Sequence, residues 1–224
     1  MNKLQLPSVT AFCIDRNDTN GAKRAVDIAT KSIDFGCVIL ITEHDYFVGR
    51  EGYSRFCIKD MYKFIKTDFV LTLHSDGYPQ RPEAWSDDWL QYDYIGGLWD
   101  WYNIYQNGNG GFSLRSKKLL DILSKLDLPN YHPEDDVICR QLRPMLEEKY
   151  GIKFAPNEVC KLFSIEGYGL KKDLCRYDGE FGFHGYHVQG LPIPPTPKIP
   201  TVKTPITFQK NTIPKNTHKR TFKR

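Results

Sequence analysis

The side chains best suited to chemistry fall in four short segments. HSDG at 74–77 closes an apolar run, so Asp76 stands at the end of an expected strand. An Asp-Gly turn explains it structurally. A carboxylate there also suits a divalent cation held against phosphate oxygens, which hard cations prefer. HPEDD at 132–136 puts Glu134, Asp135 and Asp136 directly after a proline, at the start of a helical pattern. Acids in a first turn complement the helix dipole and Pro suits the first position, yet three consecutive carboxylates exceed what capping needs. One of them facing a cleft would serve as a general base on a hydroxyl. NGNGGFSLRS at 107–116 has three glycines in four positions, which implies unusual backbone angles or close approach by a ligand. It lacks the Gly-Lys-Ser/Thr ending of a P-loop and leads into a strand-like FSLR, so neither phosphate-loop fingerprint fits. FGFHG at 181–185 sets His184 between an aromatic strand and glycine, where a lone His is more often structural than a ligand.

The elements that must position these residues are legible in the first ninety or so positions. Residues 8–15 read as a strand followed by turn chemistry. Helical spacing runs from Gly21 to Phe35, with Gly36 where a helix stops. CVILIT (37–42) has the continuous apolar character of a buried parallel strand. Phe56, Ile58, Met61, Tyr62, Phe64 and Ile65 mark a second helix, and Phe69–Leu73 a third strand. Strand, helix, strand, helix, strand predicts a mostly parallel sheet with helices on both faces, with ligands beyond the carboxyl ends of the strands. The polar residues there are Asp15, Arg16, Glu43, His44, Asp45, His74, Ser75 and Asp76. The second half is less regular. It holds an aromatic stretch (WLQYDYIGGLWDWYNIY), helices expected near 116–126 and 134–149, and strand-like pieces at IKFAP and EFGFHGYH.

Composition narrows the classes. The 31 Lys+Arg against 27 Asp+Glu give a formal +4, but Leu191–Arg224 carries eight bases and no acid, so residues 1–190 sum to −4 and the remainder to +8. That last segment also holds seven of the 14 prolines and reads as an extended, disordered tail after one globular domain of residues 1–190. No apolar run approaches the ~20 residues that cross a bilayer. The N-terminus has no continuous apolar core of a signal peptide, so a cytoplasmic protein without a membrane span is expected. The six cysteines show no metal or disulfide spacing and read as reduced, buried small hydrophobes.

Singly, each segment has an ordinary structural explanation. In order, HSDG, DYIGGLW, GNGGFSLRS, PEDDVIC, FSIEG and FGFHG resemble the GT-A class of nucleotide-sugar glycosyltransferases, nearest to a family of uncharacterised function with the same motif order. The resemblance spans roughly residues 8–187. It implies a GT-A fold, Rossmann-like with a mostly parallel sheet, and inverting, metal-dependent hexosyl or pentosyl transfer. The implied cofactor is Mn²⁺ or Mg²⁺ and the implied donor a UDP-sugar; the acceptor is a glycan or a nucleic acid. Carried over by residue, it makes Asp76 and His184 metal ligands and Asp135 the general base, with Glu134 orienting the acceptor. Asp15, Arg16, Ser75, Gly110 and Gly111 face the donor, and Trp99 and Asp136 the acceptor. The chain departs from the pattern at His74, where many GT-A enzymes carry an acid. Two other readings stay open: a GT-A-like binding module without catalysis, and a transferase acting on modified nucleic acid with the basic tail as its phosphate-binding segment.

Overall fold

A computed structural model describes residues 3–167 and 179–185. Cys175 and the basic segment 191–224 lie outside them. β1 (Leu4–Ile14) leads through a turn into α1 (Thr19–Ser32), then β2 (Ile33–Ile41), α2 (Gly49–Lys59) and β3 (Phe69–Leu73). β1 pairs in parallel with β2 on one side and β3 on the other. After β4 (Gly77–Pro79), β5 (Tyr94–Ile95) and β6 (Ser113–Ser116) complete the order β2-β1-β3-β6-β5. β6 runs antiparallel to both of its neighbours, so the other four strands share one direction.

Alternation along the strands sends side chains to two cores. Val9, Ala11, Cys13, Leu71 and Leu73 pack with Ala22, Ala25 and Ala29 of α1. Phe12, Ile14 and Val70 face Phe56 and Cys57 of α2, and Leu120 of α3 (Lys117–Lys125). This is the period-two pattern of a sheet covered on both faces. α1 starts where Asp18 accepts a hydrogen bond from the Gly21 amide at 2.9 Å. Removing that cap with Asp18→Ala should cost about 1 kcal/mol, measured as a lowered urea midpoint with unchanged slope.

Two expectations about this half need correction. Gly36 does not end α1, which stops at Ser32; it lies within β2, where a Cβ would stand 1.9 Å from the Pro7 carbonyl oxygen. Glycine is required there by close strand approach at the irregularity between Leu6 and Thr10. β2 is also an edge strand rather than a buried one, with Val38 exposed. Its apolar run reflects β propensity and two partly covered faces, through which Ile39 and Ile41 join the α2 core and Leu40 the α1 core.

The acidic segment begins α4 (Glu134–Asp136), followed by a π-helical turn over Val137–Gln141 and α5 (Arg143–Tyr150). The expected continuous helix over 134–149 is thus widened midway, before Pro144, which has no amide hydrogen to donate. α6 (Asn157–Phe163) leads into β7 (Ser164–Glu166), and β8 (Gly182–His184) follows. β4, β8 and β7 form a second, three-stranded sheet in that order. Of IKFAP, Phe154 makes an isolated bridge to Tyr94. Cys13, Cys57, Cys139 and Cys160 are free and buried, and burial pushes their thiols well above the usual range, in keeping with small apolar fillers.

Candidate active site

The small sheet brings the dispersed motifs together. Antiparallel pairing sets Gly77 of β4 opposite His184 of β8, and the Gly185 amide donates to the Asp76 carbonyl at 2.7 Å. Parallel pairing sets Glu166 of β7 beside His184. The result is a cluster in which ligand atoms of His74, Asp76 and His184 all lie within 4.8 Å of one another. His184 Nε2 is 3.8 Å from Asp76 Oδ1, while its Nδ1 lies 3.2 Å from Glu166 Oε2. The Tyr53 hydroxyl is 2.6 Å from His74 Nε2.

Electrostatics separate the two histidines. Burial, then the charge of His184, push His74 down to about 4, so it is neutral at ordinary pH. Burial also opposes charge on His184, but Glu166, Asp76 and Asp135 outweigh it and raise its pKa. A neutral imidazole, a carboxylate and a second imidazole backed by a buried carboxylate make a donor set that fits a divalent cation. An outer carboxylate on the far nitrogen of a ligating His is the usual way to fix its ring.

The glycine loop makes room for this convergence. A Cβ on Gly111 would stand 2.1 Å from His184 Nε2, and one on Gly110 2.0 Å from Glu134 Oε1. The Gly110 amide donates to Asp135 Oδ2 at 2.9 Å, and its carbonyl accepts from Arg115 Nη2 at 3.2 Å. Arg115 has no solvent exposure and also reaches Glu134 Oε1 at 3.2 Å. Glu134 therefore turns inward beneath the loop. Burial, then the neighbouring Asp135, raise its pKa to about 6 against the pull of Arg115.

Two clefts flank the cluster. One, of about 360 Å³, is lined by Asp15, Arg16, Arg50, Phe47, Tyr53 and His74 among others. Asp15 Oδ1 accepts from the Asn17 and Asp18 amides there, and Arg16 Nη1 donates to the His44 carbonyl at 3.4 Å. The other, of about 320 Å³, holds Trp99, Trp101, Asn109, Asp135, Asp136 and His184. Asp136 is held there by Arg140 at 3.1 Å and Gln141 at 2.8 Å. Ser75 packs against the start of α1, where a Cβ on Gly21 would lie 2.6 Å from its own.

The structure thus brings Asp76, His184, Gly111, Gly110 and Asp135 into one constellation, with Trp99 and Asp136 on one side and Asp15 and Arg16 on the other. Sequence reasoning missed Glu166, Arg115, Tyr53, Arg50 and Trp101, and placed His74 at a strand end as a departure from the metal motif rather than as a ligand. Arg115 was the most accessible of these, as a charged residue in the otherwise small or apolar FSLRS strand.

The family described as "Protein of unknown function (DUF5672)" matches residues 37–184. No curated protein matches the sequence. Among solved structures, one described as "Crystal structure of a glycosyltransferase involved in the glycosylation of the major capsid of PBCV-1" is similar in fold. Its TM-score is 0.50 at 13% identity, over 80% of this chain and 92% of that one. The likeness bears out the expected fold class, a GT-A-like α/β domain with a mostly parallel central sheet. No helix among the described residues is long and apolar enough to cross a membrane.

Proposed function

The chain belongs to the DUF5672 family, and from that premise and the geometry of its clefts we propose that it is a glycosyltransferase using a nucleotide-sugar donor. One observation carries the reading: a cleft with two arginines and a cleft lined by two aspartates meet at His74, Asp76 and His184. The arginine cleft suits a nucleoside diphosphate, since Arg16 and Arg50 can pair with phosphates and Phe47 and Tyr53 offer faces for a base. A UDP-sugar is the proposed donor.

The reaction is single displacement with inversion. Asp135 takes the proton from an acceptor hydroxyl as its oxygen forms a bond to the anomeric carbon. The bond from that carbon to the phosphate oxygen breaks, and the nucleoside diphosphate leaves with the electron pair. The Gly110 and Asp136 amides each donate to one oxygen of Asp135, at 2.9 Å, which fixes the carboxylate plane while leaving lone pairs for the hydroxyl. A divalent cation held by His74, Asp76 and His184 would supply positive charge to the leaving phosphate. Two imidazoles and one carboxylate suit Mn²⁺ better than Mg²⁺, which prefers oxygen ligands. On this view His74 is a substituted ligand rather than a lost one, and Glu134 acts through Arg115 and the glycine loop.

The test is to measure thermal stabilisation and slow donor hydrolysis with UDP- and GDP-sugars in the presence of Mn²⁺. The expected result is stabilisation by at least one donor that EDTA reverses. Asp76→Ala should cut the Mn²⁺-dependent gain in UDP affinity at least about tenfold; an affinity indifferent to EDTA in the wild-type protein would refute the metal assignment.

A further inference from the structure

The cleft beside Asp135 has walls of two chemical kinds. One wall is aromatic. Trp99 is buried, its ring standing where a Cβ on Gly108 would come within 2.3 Å, and Trp101 lies 6.1 Å from it, tilted by 31°. Trp101 remains 46% exposed while lining the cleft, so its face is presented to whatever enters. Tyr102 supports both tryptophans from the side and is itself capped by the Arg140 guanidinium at 3.4 Å. The platform is therefore braced before any ligand arrives.

The other wall is rich in hydrogen-bonding groups but poor in positive charge. Asp135, Asp136 and Glu166 line it, and no Lys or Arg does so among the described residues. The Arg140 guanidinium beside it is engaged with Asp136, Tyr102 and the Ile104 carbonyl. Asn109, 1% exposed with φ at 76°, spends its Oδ1 on the Gly111 and Phe112 amides. Its Nδ2 is buried without a hydrogen-bond partner, which leaves an uncommitted donor at the cleft.

We propose that this cleft takes an uncharged saccharide as acceptor, its apolar ring face stacked on Trp101 and its hydroxyls accepted by Asp135 and Asp136. The inference rests on the glycosyl-transfer reading and names the acceptor class that reading leaves open. A flat aromatic face opposite carboxylates matches a pyranose, which has a C–H face and a rim of hydroxyl donors. It does not match a nucleic acid, whose phosphates would meet three carboxylates with no Lys or Arg side chain among the lining residues.

The experiment is a calorimetric titration of the full chain with UDP and Mn²⁺ present, using the methyl glycosides of glucose, galactose, mannose and xylose and a short single-stranded DNA. At least one glycoside should bind, and Trp101→Ala should weaken it at least about tenfold while Trp101→Phe stays within a few fold. Affinity for UDP with Mn²⁺ should be unchanged in both variants. Failure of every glycoside to bind, equal affinity in Trp101→Ala, or DNA binding that displaces the glycoside would overturn the proposal. If UDP with Mn²⁺ binds and no glycoside does, the acceptor inference falls and the transferase reading stands. If glycosides bind through Trp101 while no nucleotide binds, the saccharide site stands and the transferase reading falls.

Discussion

Asp135→Asn should lower kcat for sugar transfer by about 10²–10⁴, the range lost with a general base, and leave nucleotide affinity within a few fold. The substitution keeps the shape of the side chain and removes its ability to take a proton. Because both Asp135 oxygens accept backbone amides, Asn must turn its NH₂ toward one of them, so about 1 kcal/mol of stability should go as well. Asp136→Asn is the comparison for kcat: Arg140 and Gln141 hold that carboxylate in place, so its loss should raise the KM for the acceptor and leave kcat within a few fold. Steady-state kinetics with the donor identified by stabilisation would decide the matter. Full activity in Asp135→Asn would remove it as the base, and loss confined to Asp136→Asn would move the role one residue along.

The second large effect concerns stability. Arg115→Met should destabilise the protein by about 3–5 kcal/mol, as expected when one partner of a buried ion pair is deleted. For a chain of this size that is a fall in Tm of roughly 6–20 °C. The cause is Glu134, left 5% exposed with a charge and no guanidinium. The pH dependence has a definite sign. Glu134 already titrates at about 6, above its unfolded value of 4.5, so the folded state holds the proton more tightly and this group's contribution falls as pH rises through that window. Without Arg115, which pulls the pKa down, the folded value climbs further. The penalty should therefore be larger at pH 8 than at pH 5, where a protonated Glu134 is cheaper to bury. Pairing the change with Glu134→Gln should recover most of the loss at pH 8. An Arg115→Met penalty that is small and flat with pH would show that the pair does not hold the loop down.

The β/α alternation of the first half was readable because each strand and helix carries its own period, and Asp15, Arg16 and Asp76 followed as strand-end residues. What failed there was burial: the apolar run of β2 looks the same whether one neighbour or two flank it. In the second half the signals are non-local. Glu166 is unremarkable in FSIEG until β7 lies parallel to β8, and the glycines of NGNGG look like a ligand loop until the space above them proves to be filled by Glu134 and His184. His74 read as a missing acid because a motif expects one residue type, whereas the geometry requires only a donor atom at that point. Asp135 was reachable from sequence because three acids exceed what a helix start needs.

The pairing of β4 with β8 has a consequence for how the protein can vary. Asp76 and His184 are held by cross-strand neighbours, Gly77 against His184 and the Gly185 amide on the Asp76 carbonyl, so their separation is a property of backbone register. The long intervening chain can gain or lose residues in its loops without moving them. A slip of one residue between these two strands, by contrast, would turn the imidazole to the opposite face of the small sheet. Insertions should be tolerated in the connecting loops between the two residues, apart from the Gly110–Gly111 turn, but not within β4 or β8.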